Sequence, residues 1–197
     1  MGTSPLLENS AALQREAREV LELTGIEAVL ERFGQVNLIG SYRYGVMVRK
    51  DIDFHIIVDA MTTKLVQDFF AYASGAVLFE HILFHDKHTF NALAAARYAS
   101  KWALDSYYFG LRLTHGTSEW QIGVNFITAP QQSSVEIGHL FETATDAQRE
   151  RIISFKQALI DDGRSISSAY IYRAVLEKDI TDMLSLLAYL RSIGYSL

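Results

Sequence analysis

The sequence predicts an α/β (α+β) fold: a small mixed β-sheet, helices packed on one face, and a helical C-terminal extension. Three observations carry this. Apolar stretches with a period of two alternate with helical runs as far as Thr128. Strand signals stop at Pro130. The 197 residues, 49% of them hydrophobic, suffice for one core and a small helical appendage. The expected division is a core over residues 1–130 and an extension over residues 131–197 packed on it.

Leu13, Ala17, Val20 and Leu21 recur at helical spacing behind Asn9 and Ser10, either of which suits an N-cap. Thr24 with Glu27 reads as a capping box, and Gly34 as the stop before a strand starting near Val36. That strand ends at Gly40-Ser41. A loop follows, then a strand carrying Asp51 and Asp53 and ending near Asp59. MTTKLVQDFFAYASG sets Val66, Phe69, Phe70 and Ala73 on one helical face, with Gly75 as a stop. AVLFEHILFH is strand-like, and the Ala-rich stretch from Thr89 to Leu104 is helical in pattern. SYYFGLRL, THGTS and EWQIGVNFI read as a hairpin. In the tail, Thr145 with Gln148 opens a helix bearing Ile152, Phe155 and Leu159 that ends at Gly163. SSAYIYRAVLEKD and TDMLSLLAYLRSIG complete the tail, with Thr181 as cap and Gly194 as stop.

A formal charge of -5 argues against a grip on extended nucleic acid, which needs a basic stripe. The absence of cysteine excludes disulfides and thiolate metal sites. No basic leader or apolar run of membrane-spanning length is present, so the expected location is the cytoplasm, away from a membrane.

The chemistry centres on Val36 to Asp59. Side chains alternate along a strand, so Asp51, Asp53 and His55 share one face while Ile52, Phe54 and Ile56 point to the core. Two carboxylates held this close repel unless a cation lies between them, and an all-oxygen donor set favours Mg2+ or Mn2+. Gly40 lets a phosphate approach the backbone, and the Ser41 hydroxyl with nearby N–H groups can hold its oxygens. Arg43, Arg49 and Lys50 lie in the intervening loop, where phosphate contact and simple solvation are equal alternatives.

Gly40-Ser41, a loop, and Asp51-Ile52-Asp53-Phe54 resemble the signature of the nucleotidyltransferase superfamily, which includes DNA polymerase β, antibiotic nucleotidyltransferases and small bacterial members. The resemblance implies a nucleotidyltransferase palm. It also implies transfer of a nucleoside monophosphate from a nucleoside triphosphate to a hydroxyl of a small molecule or protein. Divalent metal would be held by Asp51 and Asp53, and the triphosphate by Gly40 and Ser41, with Arg43 and Lys50 as further phosphate contacts. The family also expects a third acid on a later strand. EWQIGVNFI is similar to that strand, with Gly123 where the acid belongs, so position 123 is expected to be an empty ligand slot. Asn125 is the nearest alternative oxygen donor for metal, and Glu119 a more distant one. Enzyme is therefore the leading expectation. The alternatives are a weakened or inactive nucleotide-binding or regulatory protein and an antitoxin-type partner of a helical toxin. Expected partners are the nucleotide, an unidentified acceptor, and a protein partner or second copy of the chain.

His81, His85 and His88 read as surface or packing residues, since their spacing on a strand separates them. Tyr107, Tyr108, Phe109 and Trp120 read mainly as core, with one free to stack on a base.

Overall fold

A computed structural model describes residues 4–76, 78–88 and 105–195. The chain divides into two compact units. A sheet unit comprises Glu16–Gly40 and Lys50–Pro130, and a helical unit comprises Met1–Arg15, Ser41–Arg49 and Gln131–Leu197. Among the described residues, no helix is long and apolar enough to cross a membrane.

Among the described residues the sheet unit holds five strands: β1 (Gln35–Ile39), β2 (Asp51–Ile57), β3 (His81–Asp86), β4 (Tyr107–His115) and β5 (Ser118–Ile127). Their order is β1-β2-β5-β4-β3. β2 and β5 run parallel and every other pair is antiparallel, so the sheet is mixed, as expected. The hairpin closes with a two-residue turn, Gly116-Thr117, in which Gly116 takes φ +61° as such tight turns require.

Helices α1 (Pro5–Thr24), α2 (Ile26–Leu30) and α4 (Thr63–Gly75) supply apolar residues to this unit, α1 through Ala17, Val20 and Leu21. Thr62 caps α4 by accepting from Leu65 N at 3.1 Å. Phe69 on α4 meets the rings of Phe109 and Phe126 at 4.7 and 5.1 Å, edge to face, and Phe33 at 5.5 Å. Such aromatic pairs add about 0.5–1.5 kcal/mol each beyond their burial. Gly34 serves close approach: a Cβ there would collide with the carbonyl oxygen of Ile57.

The helical unit contains α3 (Gly40–Tyr44) from Ser41 onward, α5 (Gln132–Glu142), α6 (Asp146–Asp161), α7 (Ser168–Leu176) and α8 (Met183–Ser192). Its core joins Ile137, Phe141, Ile152, Tyr172, Leu186 and Tyr44 among others. Phe141 stacks on Tyr44 at 4.2 Å and 4° and meets Tyr172 edge-on at 5.1 Å.

Several local expectations need correction. α1 starts at Pro5, whose missing N–H costs nothing in a first turn, so Asn9 and Ser10 are interior and cap nothing. Leu6 and Leu7 pack on the helical core and extend the helix backward. Thr24 is no cap either: its hydroxyl donates to Val20 O at 2.9 Å, and Gly25, at φ +57°, breaks the helix before α2. The cap of α8 is Asp182 rather than Thr181, its carboxylate accepting from Ser185 N and Oγ at 2.9 and 2.7 Å. An anion suits that helix end. The Gly-Ser loop begins as a one-turn helix, α3. Strand β3 starts at His81, where pairing with Arg112 begins. α5 was not expected, because its Gln131 cap makes no side-chain hydrogen bond and apolar packing holds the helix instead. The capping box of Thr145 and Gln148 and the left-handed stop at Gly163 are as expected. The helix expected over Thr89 to Leu104 lies outside the described residues.

Candidate active site

In the sheet unit the register places Asp51 opposite Gln121, Asp53 opposite Gly123 and His55 opposite Asn125. β4 continues the row with Tyr108 opposite Asn125 and Gly110 opposite Gly123. Residues paired across a ladder project to the same side. All of these therefore share one face. The intervening Ile52, Phe54 and Ile56, and Ile122, Val124 and Phe126, are fully buried on the other. The alternation expected for both strands holds.

On the far side of β2, Ile39 pairs with Asp53. The chain turns at Gly40, whose φ of +75° is a left-handed value natural to glycine. A Cβ at Gly40 would lie 3.0 Å from Asp53 Oδ2, and one at Gly123 would lie 2.5 Å from Asp53 Oδ1. The Asp53 carboxylate thus lies between two glycines. A side chain at position 123 would meet the Asp53 carboxylate oxygen, which would have to turn aside to admit it.

Tyr108 borders the same space from β4. Its Oη would be 3.1 Å from a Cβ at Gly110 and 3.6 Å from one at Gly123, so the phenol lies across this glycine pair. Gln121 Nε2 donates to Tyr108 Oη at 3.1 Å. Lys87 Nζ stands 4.6 Å from the centre of the ring and His85 stacks against it at 6.0 Å. Burial, reinforced by the negative charge of Asp53, raises the Tyr108 pKa, so the phenol stays protonated near neutrality. Burial lowers the pKa of Lys87. Burial and then the Lys87 charge push His55 down to about 4, which leaves its imidazole neutral at pH 7.

The other sheet-unit candidates have defined contacts. Asn125 is buried, and its Oδ1 accepts from Ser106 Oγ at 3.2 Å. Lys50 pairs with Glu16, donates to Ser118 Oγ at 3.0 Å and lies 5.6 Å from the centre of the Trp120 ring. Glu119 pairs with Arg112 at 3.4 Å. His81 and His85 lie on β3, and His88 contacts Asp105 at 2.8 Å. Among the described residues, no group of three or more His, Asp or Glu forms a metal cage.

Ser41 and Arg43 belong to the helical unit. Ser41 is buried, and its carbonyl accepts from Val46 N at 3.0 Å. Arg43 lies 5.8 Å from the Tyr44 ring centre and lines a cleft of about 410 Å³ with Gln14, Asp146 and Arg149. Side chains of α1 and α6 hold the loop that follows. Gln14 donates to Tyr42 O at 2.7 Å, Arg149 to Tyr44 O, Ser10 to Gly45 O at 3.1 Å, and Lys156 to Val46 O at 2.8 Å. Ser10 Oγ also accepts from Met47 N at 2.8 Å. Each bond satisfies a backbone carbonyl, or in the last case an N–H, that a helix or strand would otherwise satisfy.

Sequence reading put Gln121 on the site face with Gly123 and Asn125, but it missed Lys87 and took Tyr108 only as one of four aromatics. The missing step was to carry the alternation from β5 onto β4, which puts Tyr108 on the face of Asn125.

No family model and no curated protein matches the sequence. Solved structures do match. A cytoplasmic RNA terminal U-transferase aligns with TM-score 0.54 and 13% identity, covering 83% of this chain and 45% of that one. A GLD-2–GLD-3 poly(A) polymerase complex aligns with TM-score 0.54 and 11% identity, covering 98% and 61%. The Cid1 poly(U) polymerase, bound to Mg and 3'-dATP, aligns with TM-score 0.53 and 14% identity, covering 86% and 54%. The chain therefore spans about half the length of these proteins and shares the nucleotidyltransferase fold with them.

Proposed function

We propose that the chain is a metal-dependent nucleotidyltransferase acting on the hydroxyl of a small molecule or protein. One observation supports this above the rest: on a nucleotidyltransferase fold, Asp51 and Asp53 share a sheet face, and Asp53 lies against the turn at Gly40. Two carboxylates suit one hard divalent cation, Mg2+ or Mn2+, whose other ligands come from phosphate and water. When bound, that cation would neutralise charge on the transferring phosphate.

In this reading Asp51 and Asp53 hold the cation. Gly40 and Ser41 accept the triphosphate, with Arg43 and Lys50 as further phosphate contacts and Asn125 as an added oxygen donor. Lys87 adds a cation on the Asp53 face, and Gln121 orients the Tyr108 phenol. The bound loop of residues 42–47 keeps the segment after Ser41 in one conformation, so less ordering is left for the moment of binding. The matched proteins carry RNA-directed names, but a chain of net charge -5 favours a small or protein acceptor over an extended strand.

The test is pyrophosphate release from each nucleoside triphosphate with Mg2+, read alongside self-labelling and extension of an RNA oligonucleotide. Turnover should require Mg2+ and fall about 100-fold or more in Asp51→Asn, since losing a metal ligand removes several kcal/mol of charge stabilisation. Turnover unchanged in that variant would overturn the reading, and extension of RNA would replace the acceptor class. A second reading, a nucleotide-binding protein without turnover, is favoured by Asp53 lying against Gly123. Mg2+-dependent nucleotide binding with no pyrophosphate release would select it.

A further inference from the structure

Within the helical unit, α1, α6 and the loop of residues 42–47 enclose a polar cleft. On α1, Leu7, Ala11 and Gln14 follow one another at i, i+4 and i+7, so they form one stripe. That stripe lines the cleft of about 410 Å³ with Tyr44, Gly45 and Arg149, a volume suited to a small molecule. All of these residues belong to the one unit. Three elements meet at Gly45: a Cβ there would lie 3.6 Å from Gln14 Nε2, 3.8 Å from Gln14 Oε1 and 4.0 Å from Arg149 Nη1. Glycine, at φ +70°, leaves that point open.

Arg149 is half-buried and fixed in place. Its Nη1 donates to Tyr44 O and its Nη2 to Phe141 O at 3.2 Å, and its Cζ lies 5.4 Å from the centre of the Phe141 ring. All three partners are neutral. Among the described residues, no carboxylate pairs with this guanidinium. Its two bonds use two of the five N–H donors, which leaves three in a rigid plane. A charge drawn out of water is ordinarily matched by an opposite one, and a planar fork of donors matches two oxygens of a single anion. Asp146, one helical turn before Arg149 on α6, lines the same cleft.

We propose that this cleft binds a small molecule through an oxyanion, phosphate or carboxylate, with Arg149 as its anchor and the Leu7–Ala11 stripe against its apolar part. Neither Asp51 nor Asp53 takes part, and no metal is required. The site is independent of the nucleotidyltransferase reading, which shares only Arg43 with it.

The experiment is a titration in metal-free buffer followed by backbone amide NMR, with phenyl phosphate, benzoate and inorganic phosphate as probes. Wild type, Ala11→Glu, Asp146→Asn and Leu184→Glu are compared, and their melting is measured in parallel. In wild type, the Gly45 and Ala11 signals should shift and saturate with a phenyl probe, which should bind more tightly than inorganic phosphate. Whichever phenyl probe leads assigns the group as phosphate or carboxylate. Ala11→Glu sets a negative charge in the cleft without removing a bond to Arg149, so binding should weaken about tenfold or more. Asp146→Asn removes a negative charge, so binding should tighten about threefold. Leu184 is 75% exposed and outside the lining, so Leu184→Glu should bind as wild type does. No saturation by about 10 mM of any probe would overturn the site. Equal losses in Ala11→Glu and Leu184→Glu would also overturn it, because they would report the charge of the whole chain. Inorganic phosphate binding as tightly as both phenyl probes would overturn the apolar contact. If Ala11→Glu melts well below wild type, Asp146→Asn decides alone, and unchanged affinity there overturns the site. Every outcome is read without nucleotide or metal, so failure here leaves the nucleotidyltransferase reading intact.

Discussion

On one face of the central strands, Phe54, Phe109, Val124 and Phe126 are fully buried, and Phe69 closes over two of them. On the other, Gly110 and Gly123 stand side by side, with the Asp53 carboxylate and the Tyr108 phenol lying over them. The same segments build both faces from alternate residues. The apolar face is filled by bulk, and the rings of Phe69, Phe109 and Phe126 there are held against one another. The polar face is shaped by missing side chains, and its groups are placed by the gaps that glycine leaves. Stability should therefore concentrate on the first face and ligand response on the second.

Phe54→Ala tests that contrast most severely. Removing a fully buried ring from the apolar face should lower stability by about 3–5 kcal/mol in a denaturant titration. A loss below 1 kcal/mol would show that the sheet does not depend on this face.

On the polar face, His55 couples stability to pH. Its pKa is depressed in the fold to about 4 from the ordinary 6.5, chiefly by burial. The unfolded chain binds the proton more readily, so stability is fully present above about pH 6.5 and is lost as pH falls toward 4. The loss across that window should be on the order of 3 kcal/mol. Denaturation midpoints measured from pH 7.5 to 4 for wild type and His55→Gln check this. The variant should show a shallower decline, and equal slopes would assign the acid sensitivity to other groups.

The smallest expected effect is that of Asp53→Asn in metal-free buffer. Replacing one of two neighbouring anions by its neutral isostere relieves repulsion, so stability should change by about 0.5 kcal/mol or less. A melting-temperature drop of several degrees would mean that the Asp53 carboxylate is itself a structural member of the polar face.

Periodicity alone was enough to read the strands that matter, because a half-buried strand must alternate whatever surrounds it. Asp51, Asp53 and His55 separate from Ile52, Phe54 and Ile56 on paper as they do in space. The hairpin, with Gly116 at its turn, and the Thr145–Gln148 capping box were legible for the same reason: both are local devices complete within a few residues. Capping read less well where tertiary contacts competed, as at Ser10, whose hydroxyl is drawn to Gly45 and Met47 instead of a helix end.

What the sequence by itself determined is the mixed α+β character, the polar and apolar sides of β2 and β5, and the Gly40, Asp51 and Asp53 constellation. Each depends on spacing within one segment. Only the tertiary structure decided that the Asp53 carboxylate lies against Gly123, and that Tyr108 and Lys87 gather on that face. It also decided that residues 41–49 group with the first part of α1, up to Arg15, and with the tail helices in one unit. Those relations join strands far apart in the chain, and the register between strands is set by packing of the whole apolar face, which no local pattern encodes.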